Sequence, residues 1–308
     1  MIPAAKNSEY APQVPTDELS LAGFFEVQLA DKSKIREFLW AREMILSDYN
    51  FSTLYSWGDV YRFRWTFFRG RLLIYNGRDD FLLMPAGEYF SVGEMVAISD
   101  ALRREGKSGN FVLVDADYVR LHPQIGTRFR VELDEADADY LYLSRKLVEL
   151  KGKKLIKKRN LISQFRTLHP DSLCRNLGPA DAAECRGLAV EWSRHRDSAA
   201  ADELLALDCA LASFEELDLS GVGIFIGGRM AAFSIYSRQN SNTVSVHFEK
   251  FDPAVKGASQ VVNWETARVL TDRFPYINRE QDLGIEGLRR AKMSYSPEHR
   301  VMSYMLLR

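Results

Sequence analysis

Between Val244 and Phe248 apolar and polar residues alternate, the period of a strand with one buried face. Val244, Val246 and Phe248 fall on one side, and Ser245, His247 and Glu249 on the other. The period changes after the turn-prone Asp252-Pro253 and Lys256-Gly257. From Ala258 to about Asp272 the apolar positions Ala258, Val261, Val262 and Val269 recur at helical spacing. Glu265 projects from the middle of that face, where a carboxylate is costly unless it is paired or functional, and Asn263 points to the side. A short strand, Tyr276 to Asn278, follows. After it come an Asn278-Arg279-Glu280 cluster, Gly284, Gly287, Lys292 and Tyr295.

The same reading extends along the chain. Asp17 to Leu21 opens a helix, and Asp31 caps a second one in which Ile35, Phe38, Leu39 and Ile45 repeat. Tyr61 to Phe68 and Leu72 to Tyr75 form a hairpin across Arg69-Gly70-Arg71. A helix from Ser91 to Arg104 and strands at Asn110 to Val114 and Phe129 to Leu133 complete the first half. In the second half, helices at Asp181 to Arg194 and Asp202 to Leu217 precede a hairpin, Val222 to Ile226 and Met230 to Tyr236, across Gly227-Gly228-Arg229. The order helix, hairpin, helix, strand thus occurs twice without a strict sequence repeat. The expectation is an α/β (α+β) protein of two domains, each a twisted mixed sheet flanked by helices. A leader (1–16) precedes the first domain (17–143). A connecting segment (144–168) then leads to the second domain (169–308), which carries the site.

Composition fits a soluble globular protein: 308 residues, 46% hydrophobic and 27% charged, with a net charge of −1. That balance excludes a global attraction to nucleic acid or anionic membrane, so any such attraction is local. It is found in Ser144 to Leu168, where nine basic residues face one acid, Glu149, for a local charge of +8. No apolar run approaches the ~20 residues of a membrane helix. The polar opening MIPAAKNSEYAPQVPTDEL has no apolar signal core, so the protein is read as cytoplasmic. Cys174, Cys185 and Cys209 are scattered without metal-ligand spacing; they read as small buried hydrophobes, and no metal site is expected.

Several side chains are candidates for chemistry. His247 and Glu249 are of the type that removes a proton from an attacking amine. Lys250, Lys256, Gly257 and Asn263 flank a helix start whose N–H groups suit a phosphate or the oxygen of an acyl carbonyl; the plain alternative is a helix beginning after a loop. Glu265 could orient Lys256 or Arg279. Asn278, Arg279, Glu280, Asp282 and Lys292 form a charged group that pairs internally or recognises a charged substrate. Lys154, Lys157, Lys158 and Arg159 attract the phosphates of tRNA, CoA or a lipid headgroup, unless they form only a solvated face. Most aromatics from Tyr49 to Trp65 read as core, with Tyr55 and Trp57 facing the cleft between domains.

Four segments, NFSTLYSWGDVYRFRW, LKGKKLIKKRNLISQF, HFEKFDPAVKGASQVVN and YINREQDLGIEGLRRAKMSY, resemble those of a bacterial family of unknown function. That family is related to the C-terminal domain of phosphatidylglycerol lysyltransferase. The resemblance implies two tandem GNAT-type acyltransferase domains, an architecture also used by enzymes that move amino acids from aminoacyl-tRNA. It implies transfer of an aminoacyl group from aminoacyl-tRNA, or of an acyl group from acyl-CoA, to an amine or hydroxyl acceptor. The acceptor would be a small molecule or a lipid headgroup, and no cofactor beyond the donor is needed. Lys157, Lys158, Arg159 and Glu249 match the family's motifs, and Tyr295 resembles the late tyrosine that acts as general acid in many GNAT enzymes. DPAVKGAS departs from the glycine-rich pyrophosphate loop of those enzymes, which counts against CoA, and the absence of a membrane-spanning stretch counts against a lipid acceptor. A binding protein that keeps the fold without the chemistry is the remaining alternative.

Overall fold

Both hairpins reverse where glycine accepts a left-handed backbone, at Gly70 (φ 74°) and at Gly227 and Gly228 (φ 56° and 80°). The fold built around them was obtained as a computed structural model that describes residues 19–194 and 198–308. The first half contains β1 (Phe25–Glu26), α1 (Lys32–Trp40), α2 (Phe51–Ser56), α3 (Gly58–Tyr61), β2 (Phe63–Phe68) and β3 (Arg71–Asn76). It continues with β4 (Phe81–Leu83), α4 (Val92–Arg104), β5 (Asn110–Asp115), α5 (Ala116–Leu121) and β6 (Arg130–Leu143). The second half begins with α6 (Ser144–Glu149), α7 (Ile156–Leu168), β7 (Leu173–Leu177), α8 (Ala182–Ser193), α9 (Ser198–Ala212) and β8 (Ser220–Ile226). It ends with β9 (Arg229–Arg238), β10 (Thr243–Phe251), α10 (Ala258–Leu270), β11 (Tyr276–Asn278), α11 (Glu286–Met293) and β12 (His299–Leu307).

The strands form one twelve-stranded sheet in the order β1-β2-β3-β4-β5-β12-β6-β11-β10-β9-β8-β7. Within it, β1 to β5 pair antiparallel three times and then parallel, and β7 to β11 repeat that pattern. A helix bridges each parallel pair: α4 between β4 and β5, α10 between β10 and β11. The last strands cross over. β6 leaves the first half to pair with β11, and β12 returns from the second half to lie between β5 and β6. A division of the chain at 144–168 therefore leaves β12 on the far side of the boundary from its pairing partners.

One hydrophobic cluster spans both halves, joining Ile35, Leu54 and Trp65 to Leu188, Leu207, Phe233 and Phe248. A second packs Leu147, Ile162 and Phe165 against Val244, Val246, Val261 and Ile277, and a third fills the first half around Met95, Phe111 and Tyr118. Each fully buried large side chain contributes about 2–3 kcal/mol.

Several sequence expectations are corrected. A bulge between Val246 and Phe248 shifts the register of β10 on β9, so Phe248 joins the cluster that spans both halves while Val244 and Val246 remain in the second. β6 runs well past the expected Leu133, because its acids Asp134, Glu135, Asp137 and Asp139 interrupt the apolar pattern that marks a strand. On α10, Ala258, Val261 and Val262 are buried as expected, but Val269 is exposed. Cys174 is exposed and only Cys185 is buried. Helix α1 ends before Ile45; Asp31 stands at its N-cap position as expected, but its carboxylate accepts hydrogen bonds from Gln28 N and Trp65 Nε1 rather than from the helix. The leader, Asp17 and Glu18 lie outside the described residues. Among the described residues, no helix is long and apolar enough to cross a membrane.

Candidate active site

β10 and β11 pair over Thr243–Ser245 and Tyr276–Asn278 and then part. The charged side chains gather where they separate. Arg279, directly after β11, donates through Nη2 to Glu249 Oε1 at 2.7 Å. Asn263 of α10, its amide oxygen turned to the guanidinium, accepts from Nη1 at 3.1 Å and Nε at 3.3 Å. The guanidinium lies 5.2 Å from the Tyr295 ring centre, and Lys158 Nζ reaches the same ring at 4.1 Å. Burial, reinforced by Arg279, lowers the pKa of Lys158, and burial raises that of the Tyr295 hydroxyl. Glu249, Asn263, Arg279, Tyr295 and Lys158 thus converge from β10, α10, the loop after β11, the loop after α11 and α7.

His247 belongs to a different constellation. The bulge separates it from Glu249, so the two do not share a face. His247 Nε2 lies 2.8 Å from Ser237 Oγ on β9. Its Nδ1 lies 2.9 Å from Glu280 Oε1 and 3.4 Å from Thr53 Oγ1 of α2. Glu280 has a left-handed backbone at φ 57°, a strained conformation for a residue with a side chain. Lys292 enforces it. Its ammonium donates to the carbonyl oxygens of Arg279 (2.6 Å), Glu280 (3.0 Å) and Gln281, and Asn278 Oδ1 accepts from Glu280 N at 2.8 Å. Burial, with Arg279 adding to it, lowers the Lys292 pKa to about 8. With three carbonyls filling its three donors, Lys292 is an anchor for the loop rather than a substrate ligand.

A row of carboxylates continues along the seam between the halves. Asn278 Nδ2 donates to Asp139 Oδ2 at 2.6 Å, and Ser47 N donates to the same oxygen at 2.7 Å. Gln281 Nε2 donates to Asp48 Oδ2 at 2.6 Å. Burial raises the Asp139 pKa to about 6 and the Asp137 pKa to about 7, and it raises that of Asp48 with help from Asp139. Asp282 is the exception. Burial pushes its pKa up, but hydrogen bonds from Arg289 (2.8 Å) and Tyr140 (2.5 Å) outweigh it and hold the carboxyl below its usual value.

The remaining candidates lie elsewhere. Lys250 is buried in the opposite direction, paired with Glu203 and lying 4.0 Å from the Trp192 ring centre. Glu265 pairs with Arg268 at 2.8 Å and Arg166 at 3.6 Å, and with neither Lys256 nor Arg279. Lys256 is exposed, and the corner beside it is closed: a Cβ on Gly257 (φ 88°) would lie 2.6 Å from the Leu161 carbonyl oxygen and 3.0 Å from Phe165 Cβ. Helix α7 therefore packs on the start of α10 at Gly257, which closes that side of the corner. In the basic segment, Glu149 takes up Arg145 and Lys151, Glu298 takes up Lys146, and Arg159 donates to the carbonyls of Leu150 and Gly152. Lys153, Lys154 and Lys157 are exposed and, among the described residues, have no acidic partner. A groove of about 460 Å³ runs between α6, α7 and Trp264, with Arg159, Ser163 and Arg166 on its wall.

Sequence reasoning missed Ser237, Thr53, Asp48 and Asp139. The available signal was faint: Ser237 ends the mostly apolar run of β9, and His247 sits among the polar positions of β10, the strand that pairs with it.

The fold corresponds to a known class. The family model described as phosphatidylglycerol lysyltransferase, C-terminal, matches residues 43–307, and the chain belongs to that family. A solved protein of unknown function from Bacteroides thetaiotaomicron is 33% identical, with a TM-score of 0.85 over 92% of this chain and 99% of that one. L-PGS from Bacillus licheniformis shares the fold at 14% identity, with a TM-score of 0.62 over 92% of this chain and 93% of that one. An uncharacterised protein of Mycoplasmoides gallisepticum is 23% identical over 186 residues; the match spans 59% of this chain and 60% of that protein.

Proposed function

We propose that this protein is an acyltransferase that moves an aminoacyl group from aminoacyl-tRNA to an amine or hydroxyl acceptor, a small molecule or a lipid headgroup. Helix α7 carries the reading. It packs against Gly257 on the side where a pyrophosphate would meet the start of α10, which counts against CoA as the donor. The same helix brings Lys158 to the Tyr295 ring and turns Lys153, Lys154 and Lys157, at and just before its start, to solvent. Cations at a helix start work against its macrodipole, so the fold gains no stability from them there, whereas a polyanion gains attraction.

Direct transfer from an ester requires an aligned acceptor, a path for its proton and a partner for the developing oxyanion. Arg279, fixed by Glu249 and Asn263, is the cation suited to the oxyanion. Glu249 serves to hold Arg279, and Tyr295 is the candidate donor to the leaving oxygen. Membership of a lysyltransferase family supports an aminoacyl donor. The test is to titrate charged tRNA and acetyl-CoA separately at two salt concentrations and to follow label from the tRNA into acceptor. Salt-sensitive tRNA binding with transfer is expected. Tight acetyl-CoA binding without tRNA binding would favour a thioester donor. Binding of tRNA without transfer would leave a binding protein.

A further inference from the structure

We infer that Ser237, His247 and Glu280 form a proton relay at the seam of the two halves, in which Glu280 meets the acceptor and His247 stores its proton. The inference rests on the transferase reading for the identity of the reaction, but the relay itself stands on geometry. Ser237 Oγ to His247 Nε2 is 2.8 Å, and His247 Nδ1 to Glu280 Oε1 is 2.9 Å, both within ordinary hydrogen-bond range. Accessibility sets the direction. The His247 side chain is 4% exposed and Ser237 5%, while Glu280 retains 20%, so substrate can reach the carboxylate and not the hydroxyl. That order excludes Ser237 as a nucleophile and leaves it as a positioning residue.

Ser237 suits both protonation states of the imidazole. With His247 neutral and its proton on Nε2, that N–H donates to Ser237 Oγ and leaves Nδ1 open to a proton arriving through Glu280. With His247 protonated, Nδ1–H donates to Glu280 as well, and the Ser237 hydroxyl proton stays turned to Asn50 Oδ1, 3.3 Å away. Asn50 is locked for this role, because its Nδ2 donates to Gln239 Oε1 (3.1 Å) and Arg238 O (3.2 Å) while Ser52 N donates to its Oδ1 (2.9 Å). A histidine kept only for packing needs one such state. The strained Glu280 backbone, pinned by Lys292 and Asn278, fixes the outer end.

In the reaction the acceptor nitrogen or oxygen attacks the ester carbonyl, forming the new C–N or C–O bond as the ester C–O bond breaks. The acceptor's proton passes through Glu280 to His247 while Tyr295 gives its proton to the departing hydroxyl oxygen; solvent then takes the proton from the relay and restores the one on Tyr295, so no proton or electron is left over. The charge in contact with His247 is Glu280, and Glu280 in turn lies in the field of Asp139 of β6, Asp48 before α2 and Lys292 of α11.

The relay is tested by NMR titration of the His247 ring in the whole protein, without donor, in wild type, Glu280→Gln and Ser237→Ala. Glu280→Gln removes the carboxylate at Nδ1, so the ring-nitrogen chemical shifts of His247, which report where its protons sit, move away from those of wild type. In the transfer assay Glu280→Gln and His247→Gln move the acid limb of the pH–rate profile, and Ser237→Ala moves it less. A His247 titration unchanged by Glu280→Gln overturns the relay, and so does a profile lowered uniformly without a change of shape. His247→Gln, whose melting temperature is compared with wild type, guards against a folding defect. If the titrations behave as expected while neither donor is turned over, the relay stands and the transferase reading fails.

Discussion

The first half builds the parallel pair β4–β5 around α4, and the second builds β10–β11 around α10 on the same pairing pattern. In the first, apolar side chains fill the junction, with Leu82, Phe90, Met95, Phe111 and Tyr118 all buried. Its helix starts in a full capping box, Ser91 accepting from Glu94 N while the Glu94 carboxylate accepts from Ser91 N. In the second, Glu249, Arg279, Asn263 and Lys158 occupy the junction, and α10 starts at Gly257 without a side-chain cap. Because the fold closes with hydrocarbon in one half, its topology does not demand charge in the other. On the proposed reading, the buried charges of the second half serve the transfer chemistry rather than folding.

The contrast is broken most sharply at Arg279. Arg279→Ala leaves Glu249 buried without its partner, and chemical denaturation should register a loss of about 3–5 kcal/mol. Replacing both residues by apolar ones of similar volume should restore most of the stability while abolishing transfer. Full stability loss in the double variant would mean that the cluster is structural. Next in size is Gly257→Ala, which forces a side chain into a left-handed backbone against the Leu161 carbonyl. A loss of about 2–4 kcal/mol is expected by the same method, and a neutral result would show that α7 does not seal the corner.

Asp139 sharpens the comparison through pH. Burial holds its folded pKa near 6, above the unfolded value of 3.8, so the folded protein binds the proton more tightly. The stabilisation from this group is complete below the unfolded pKa and is lost as pH rises through 6. Between about pH 4.5 and 7.5 wild type should lose about 2 kcal/mol relative to Asp139→Asn, and parallel stability curves for the two would contradict the assignment. The smallest effect belongs to the first half: Ser91→Ala should cost about 1 kcal/mol by thermal melting and leave transfer unchanged.

Much of the fold was legible in local pattern. Alternation marked β2 and β10, helical spacing marked α10, and glycine marked both hairpin turns. What escaped depends on contacts distant in sequence. Nothing near Gly257 announces that Leu161, on another helix, will cover it. The acids of β6 disguise a strand whose polar residues turn out to line a seam. Asn50, Thr53, Ser237, His247 and Glu280 meet only because β12 and β6 knit the halves into one sheet. The bulge at His247 is a single-residue slip that alternation alone cannot reveal, and it exchanges the faces of everything after it.

The most direct measurement of the central claim is the salt dependence of charged-tRNA affinity for wild type and a Lys153→Glu/Lys154→Glu/Lys157→Glu variant. If these cations meet a polyanionic donor, the triple variant should bind far more weakly, and the slope of log affinity against log salt should flatten by roughly 2–3. Equal slopes with unchanged affinity would contradict it.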